Sequence, residues 1–450
     1  MKLAIALVLL VIATLLFHWL SPWWFTPLAS NWGAVDTTVD ITLYITGFVF
    51  VAVNLFMAYA IFRYRHDPSR RAHYEPENKK LEIWLTGITA VGVVAMLAPG
   101  LIVWADFIDP PEDADIVEVV GEQWQWSYRF PGEDGVLGKV DSRHVGPDNP
   151  FGMAPDDAAG RDDVLVRNKD LHLPIDRPVK VLLRSKDVLH DFAVPQFRVK
   201  MDLIPGTVTY LWFTPTRTGN FDILCMELCG IAHYAMRGQV IVNTGDDFNA
   251  WLAEQPTWEM MQGRIAGDPS IGEGQYAVCS ACHGAMGEGN VALNAPALAG
   301  LQGWYLERQL QYYKDGVRGS HKDDIYGQQM APMAAMLADD DAVRHMVAYI
   351  ESLPAVDMQS SLLGNVAKGA DHYVTCGACH GGEAQGNYAL QAPKLSGQHD
   401  WYLKRQLANF RSGIRGAHKK DNYGNQMVLM SRALHNEQSV NDLLAYLNTM

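Results

Sequence analysis

Two stretches of this chain leave almost no choice of fold. ITLYITGFVFVAVNLFMAYAIF (41–62) carries no charge, and LEIWLTGITAVGVVAMLAPGLIVWA (81–105) carries only Glu82. Each exceeds the roughly 20 residues that cross a bilayer core. In hydrocarbon the backbone polar groups of such a run can be satisfied only within a helix. Residues 40–106 are therefore expected to form a transmembrane helical hairpin. The loop between the runs, RYRHDPSRRAHYEPENKK, holds six Lys/Arg. By the positive-inside rule it is cytoplasmic, so everything after about residue 106 lies on the periplasmic side of a bacterial inner membrane. A third apolar run, LAIALVLLVIATLLFHWL (3–20), follows Lys2. It reads as a signal peptide or as a retained helix. PLAS (27–30) is a weak cleavage site, and the tryptophans of SPWWF fit an interfacial belt, so retention is the expectation. Residues 1–39 are then an apolar helix and a periplasmic loop in a multi-pass protein that contacts membrane lipid.

The length, 450 residues, suits about three domains. A formal net charge of −14 argues against nucleic acid as a partner, because a polyanion needs a basic face. The charge is uneven. Lys+Arg against Asp+Glu is 15 to 26 over 106–265, 5 to 12 over 266–357, and 9 to 6 over 362–450.

After residue 115 the texture becomes that of short strands. DIVEVVGEQWQWSYRF, PVKVLLRSKDVLHDFAVP, GTVTYLWFTP and GQVIVNTG are rich in β-branched and aromatic residues and are separated by turn residues. This predicts an all-β sandwich or barrel over 107–248. A stretch around 132–163, rich in Gly, Pro and Asp, reads as a surface excursion. Residues 249–265 read as a linker.

Within the β-domain lies CMELCGIAHYAM (225–236). A Cys225–Cys229 disulfide is the plain reading of the two cysteines. Thiolate, imidazole and thioether together, however, are the donor set that copper prefers. Two bridging cysteines suit two coppers, each with one imidazole and one weak ligand. His233 and Met236 supply one of each, and VLHDFAVP supplies His190. The carbonyl of Glu227 could complete the set.

With those residues in view, 40–245 resembles subunit II of the haem–copper cytochrome c oxidases, a transmembrane hairpin followed by a cupredoxin domain with a binuclear copper A centre. The motifs are C-x-E-x-C-x-x-x-H-x-x-M, S-x-D-V-x-H-x-F-x-V-P (185–195) and KMDLIPG (200–206). The resemblance implies copper ligands His190, Cys225, Glu227 through its carbonyl, Cys229, His233 and Met236. It further implies magnesium on the Glu227 carboxylate at the contact with the catalytic subunit. In GEQWQWSYRF, Trp124 matches the tryptophan that passes electrons to copper, and Glu82 matches the acid at the cytoplasmic mouth of a proton pathway. Taken on periodicity alone, the aromatics of that segment would be core and Glu82 merely interfacial. The family acid after S-Y is Arg129 here, which puts in doubt the docking of a free cytochrome c directly over the copper domain.

The last third of the chain repeats itself at an offset of 97 residues. YAVCSACHGAMGEGN answers YVTCGACHGGEAQGN, and a longer run beginning APALAGLQGWYLERQL answers APKLSGQHDWYLKRQL. This is duplication of one domain, expected at 266–357 and 362–450. Each copy holds C-x-x-C-H, the haem c attachment signature. Cys279, Cys282 and His283 attach one haem, and Cys376, Cys379 and His380 the other. The copies resemble the all-α halves of dihaem cytochromes of the c4 type. That resemblance implies axial Met330 and Met427, each before an M-x6-L segment opening the last helix, with Met333 and Met430 as the alternative pair. It also implies that the Pro296 and Pro393 carbonyls orient the histidines. The closing helices, DAVRHMVAYIESL and QSVNDLLAYLNTM, read as core.

The whole predicts a membrane-anchored electron-input subunit of a terminal oxidase. Electrons from a donor such as a c-type cytochrome would pass through two haems c and copper A to a haem–copper catalytic subunit I. That subunit, with other oxidase subunits, would reduce oxygen to water and pump protons. The alternatives are the copper A subunit of a nitric oxide reductase and a membrane-anchored carrier without an enzyme partner.

Overall fold

The structure is a computed structural model. It describes residues 1–21, 25–69, 71, 74, 76–146, 149–167, 170–262, 266–355, 363–388 and 390–450. Trp23 and Trp24 of the expected interfacial belt lie outside the described residues, as does the boundary between the two repeats.

Three long apolar helices come first: α1 (Lys2–Leu20), α2 (Gly33–Arg63) and α3 (Lys79–Phe107). Each is long and apolar enough to cross a membrane, and nearly all of their surface is bare of protein. α2 begins at Gly33, well before the apolar run at 41, so its first two turns rise out of the expected span. α1 packs along α2, and α2 along α3.

The β-domain is a sandwich of two five-stranded sheets. Its strands are β1 (Asp115–Glu122), β2 (Gln125–Phe130), β3 (Val164–Arg167), β4 (Leu171–Pro174) and β5 (Val179–Ser185). Then come β6 (His190–Val194), β7 (Val199–Leu203), β8 (Thr209–Phe213), β9 (Gly219–Cys225) and β10 (Arg237–Asn243). One sheet runs β3-β2-β1-β5-β8, the other β4-β10-β9-β6-β7. The pairs β1/β5 and β4/β10 are parallel; the others are antiparallel. Val179, Val181 and Leu183 alternate inward along β5, as a half-buried strand should.

β1 and β2 depart from that pattern, since nearly every residue on both faces is buried. Val117 and Val119 fill the sandwich core, while Val120 on the outer face packs with Phe151, Met153, Leu165 and Trp258. The stretch expected as a surface excursion therefore covers the sheet. It has little regular structure beyond two 3-10 turns, Ser142–His144 and Ala158–Gly160. Under it lies an ionic cluster. Arg129 donates to Glu118 (3.0 Å), Asp163 (2.7 Å) and the Gly138 carbonyl (2.7 Å), and Arg184 donates to Glu118 (3.1 Å). Burial pushes the Glu118 carboxyl up, but Arg184 and Arg129 outweigh it and hold it below its usual range. Arg129 is thus no surface residue facing a donor. The expected linker is also ordered: α4 (Gly245–Ala253) and α5 (Trp258–Gln262) continue from β10, and Phe248 and Trp258 are buried against the β-domain.

The sandwich is fastened to the long apolar helices. Trp32 donates to the Trp212 carbonyl (2.8 Å), Trp212 to the Asp106 carbonyl (3.0 Å) and Tyr210 to the Ile108 carbonyl (2.9 Å). Arg198 grips Asp36 at 2.6 and 2.8 Å.

Each repeat folds as four helices: α6 (Pro269–His283), α7 (Gly303–Lys314), α8 (Ile325–Ala334) and α9 (Asp340–Ser352), then α10 (Val366–His380), α11 (Asp400–Arg411), α12 (Asn422–Met430) and α13 (Glu437–Leu447). The first and last helices of each copy cross closely. At Gly272 a Cβ would meet the His345 carbonyl, and at Gly369 that of Asp442. The closing helices α9 and α13 are core, burying Val343, Met346 and Ile350 and then Val440, Leu443 and Leu444.

Arg129→Leu would leave Asp163 without its guanidinium and Glu118 with Arg184 alone. The expected cost is about 3–5 kcal/mol, the usual penalty for breaking a buried pair. Urea unfolding followed by tryptophan fluorescence measures it, and a loss below about 1 kcal/mol would contradict the cluster's role.

Candidate metal and haem centres

Strand β9 ends at Cys225, β6 begins at His190, and the loop 226–236 brings the remaining donors back over them. The two sulfurs lie 3.7 Å apart, and both cysteines are free. That rules out a disulfide, whose sulfurs would be bonded at about 2.05 Å. Cys225 Sγ is 4.0 Å from His190 Nδ1 and 3.3 Å from the Glu227 carbonyl oxygen. Cys229 Sγ is 3.5 Å from His233 Nδ1 and 3.8 Å from Met236 Sδ. All six expected copper donors thus converge. His190, Cys225, Cys229 and Met236 are buried, whereas Glu227 and His233 sit at the rim.

The local chemistry suits thiolate ligation. The hydrogen bond between the sulfurs draws the Cys225 thiol down to about 3 and pushes Cys229 up. Burial opposes a charged imidazolium at His190, yet the Asp187 hydrogen bond (2.8 Å to Nε2) and Cys225 together raise it. Asp187 fixes the ring so that Nδ1 faces sulfur, an outer-shell device common at metal sites. It also accepts from the Gln123 backbone N–H (2.7 Å). The motif at 185–195 contained Asp187, but nothing in its spacing gave it this role.

Trp124 lies on the tight turn between β1 and β2, not in a strand. It is buried, and its indole N–H donates to the Cys229 carbonyl (3.1 Å), beside a Gln123 amide donating to the same oxygen (2.8 Å). Gly230 follows at φ +122°, and a Cβ there would strike the Gln123 and Trp124 side chains. Glu82 lies in the exposed first turn of α3, far along the chain from these groups.

The two repeats share one continuous cavity lined by Cys279, Cys282, His283, Cys376, Cys379 and His380. His283 Nδ1 is 2.8 Å from the Pro296 carbonyl oxygen, and His380 Nδ1 is 2.7 Å from that of Pro393. Each ring thereby keeps Nε2 for another partner. Burial lowers both histidines, favouring the neutral imidazole that ligates iron. Cysteine pair, neutral histidine and apolar walls together fit a covalently held haem in each copy. Met330, Met333, Met427 and Met430 all line the cavity. They lie on α8 and α12, separate helices ahead of the closing ones, rather than where the last helix opens.

The copies face each other across a pseudo-two-fold. Arg318 donates to Tyr402 (3.1 Å) and Gln406 (3.2 Å), and Arg415 to Tyr305 (3.0 Å) and Gln309 (2.9 Å). The second copy also meets the β-domain. Gln125 donates to Tyr423 (2.6 Å), Cys379 packs against the sandwich core, and Trp124 lines the shared cavity.

Comparison with known proteins agrees with this geometry. The family profile described as cytochrome C oxidase subunit II, periplasmic domain, matches residues 116–244, and that for cytochrome c matches 270–354 and 366–450. An alternative cytochrome c oxidase subunit 2 of Bradyrhizobium diazoefficiens is 59% identical over 266 residues, covering 59% of this chain and 96% of that protein. The chain belongs to the cytochrome c oxidase subunit 2 family. A cytochrome c oxidase subunit 2 of Cereibacter sphaeroides is 32% identical over 47% of this chain and 73% of its own length. Beyond the subunit 2 region, a cytochrome c4 of Azotobacter vinelandii is 35% identical over 37% of this chain and 81% of its own. Membership implies a copper A centre, and the two appended domains imply haem c. The subunit 2 fold and the apolar helices make this a membrane-anchored protein with periplasmic domains.

Cys225→Ser is expected to abolish the near-infrared mixed-valence copper band while leaving both haem c bands; survival of that band would refute the ligand set. Met427→Leu is expected to give a high-spin or lower-potential haem in the second copy only. An unchanged spectrum would transfer the axial role to Met430.

Proposed function

We propose that His190, Cys225, the Glu227 carbonyl, Cys229, His233 and Met236 hold two coppers, and that the cysteine–histidine pairs with Met330 and Met427 hold two haems c. Family membership makes the chain the electron-input subunit of an oxidoreductase complex, working with a haem–copper catalytic subunit I. The bound groups supply one-electron chemistry. The chain's part is to hold them rigidly and keep water out. The buried sulfurs, the Asp187-oriented His190 and the proline-anchored haem histidines serve that end.

The observation that carries the reading is the convergence of five soft and borderline donors and one carbonyl oxygen from one loop and two strand ends, with Trp124 bonded to that loop. Further proposals follow the same resemblance. The Glu227 carboxylate, at the partly exposed rim, is suited to magnesium at the subunit I contact. α1, α2 and α3 are three spans of a bacterial inner membrane, in contact with lipid. Glu82 stands at the cytoplasmic end of α3, as a proton-pathway mouth requires. The electron donor is a c-type cytochrome. The domain limits are those of the sandwich, now carried through α5, and of the two repeats.

The purified complex is expected to consume oxygen with a reduced c-type cytochrome and to acidify the periplasmic side in vesicles. A complex that consumed nitric oxide and no oxygen would overturn the oxidase reading in favour of a reductase.

A further inference from the structure

Because the cytochrome domain is duplicated, each copy serves as a control for the other. Both carry the same cavity, so a difference in exposure between matched residues reports what covers them from outside. Cys282 is exposed, while its counterpart Cys379 is partly covered by the sandwich core. Leu293 is 49% exposed, while its counterpart Leu390 is half-buried. Val291 is 64% exposed, and the matching Tyr388 lies against Arg167 of the β-domain. The second copy therefore presents to the copper domain the same face that the first copy leaves bare. On the first copy that face is an apolar ring of Val278, Val291 and Leu293 around Cys282, with Met286 at its edge, all of them exposed.

Charge says what fits it. The second copy, with 9 basic and 6 acidic residues, sits on the acidic copper domain (15 to 26 over 106–265). The first copy has 5 basic and 12 acidic residues. A partner drawn to the first copy by its field carries the opposite sign. Complementary fields of this kind steer encounter and orient docking, and apolar centres close the contact. The surface around Trp124, where a donor would otherwise reach the copper domain, is already covered by Tyr423 and Cys379.

We infer that the face of the first cytochrome domain around Cys282 is the donor's docking site, and that the donor is a positively charged electron-carrying protein. The second domain is the one committed to the copper site. The inference rests on the haem-bearing, electron-input reading given above.

The test uses the intact, purified complex, immobilised, with a soluble basic c-type cytochrome of the mitochondrial type as probe. Binding is measured by surface plasmon resonance at about 20 and about 200 mM salt, on either side of effective screening. The double variant Val291→Lys, Met286→Lys is expected to weaken binding roughly tenfold or more, the scale of like-charge juxtaposition at an interface. Both residues lie outside the cavity lining, so the haem c bands should persist. Glu383→Lys, at the matching position of the second copy, should leave affinity unchanged. Wild-type affinity should fall as salt rises. Unchanged binding by the double variant, an equal loss in Glu383→Lys, or no salt dependence would overturn the docking site while haem bands and oxygen uptake stand. Absence of the haem bands in the wild-type complex would overturn the electron-input reading itself.

Discussion

Two hydrogen bonds onto one carbonyl oxygen, from the Gln123 amide and the Trp124 indole to Cys229, join the parts of the molecule that must act together. They pin the copper-ligand loop to the β1–β2 turn. The next residue on that turn side, Gln125, reaches Tyr423 of the second cytochrome domain. The Gln123 backbone holds Asp187, which in turn orients His190. Here the loop backbone is anchored from one side and His190 from the other, which holds the donors close together.

The duplicated domain shows how one sequence pattern takes two roles. The cavity walls, the proline-anchored histidines and the close helix crossings at Gly272 and Gly369 are the same in both copies. What separates the copies is their surroundings. One face is spent on the copper domain and the matching face is open, and the two copies differ in net charge. The effective concentration of the second copy at Trp124 is set by the covalent chain and by the polar contacts, and needs no diffusion.

Much of this was legible in the sequence. The long apolar runs, the six donors proposed for copper, the C-x-x-C-H pairs and the prolines whose carbonyls meet the histidines are local or motif-borne, and spacing or resemblance carries them. The misreadings share a cause. Nothing in GEQWQWSYRF marks the turn at Gln123 and Trp124, because a turn without Gly-Asn or Pro punctuation leaves no trace in a period-2 pattern. The Gly- and Asp-rich stretch at 132–163 looks solvated, yet Phe151 and Met153 close a second small core that only the folded sheet reveals. Arg129 looked like a lost surface acid, but is buried among Glu118, Asp163 and Gly138. The contact between Gln125 and Tyr423 spans 298 residues, and no local pattern could announce it.

The exchange of Arg318 with Tyr402 and Gln406, answered by Arg415 with Tyr305 and Gln309, has the form of an isologous contact, the kind that joins identical subunits about a two-fold axis. Here it joins two copies of one domain within a single polypeptide. In a true dimer any substitution strikes both halves at once, and the halves stay equal. Within a single chain each half drifts alone, so one could become basic and settle inward while the other stayed acidic. A directed path of the kind inferred above needs that freedom, and symmetry would forbid it.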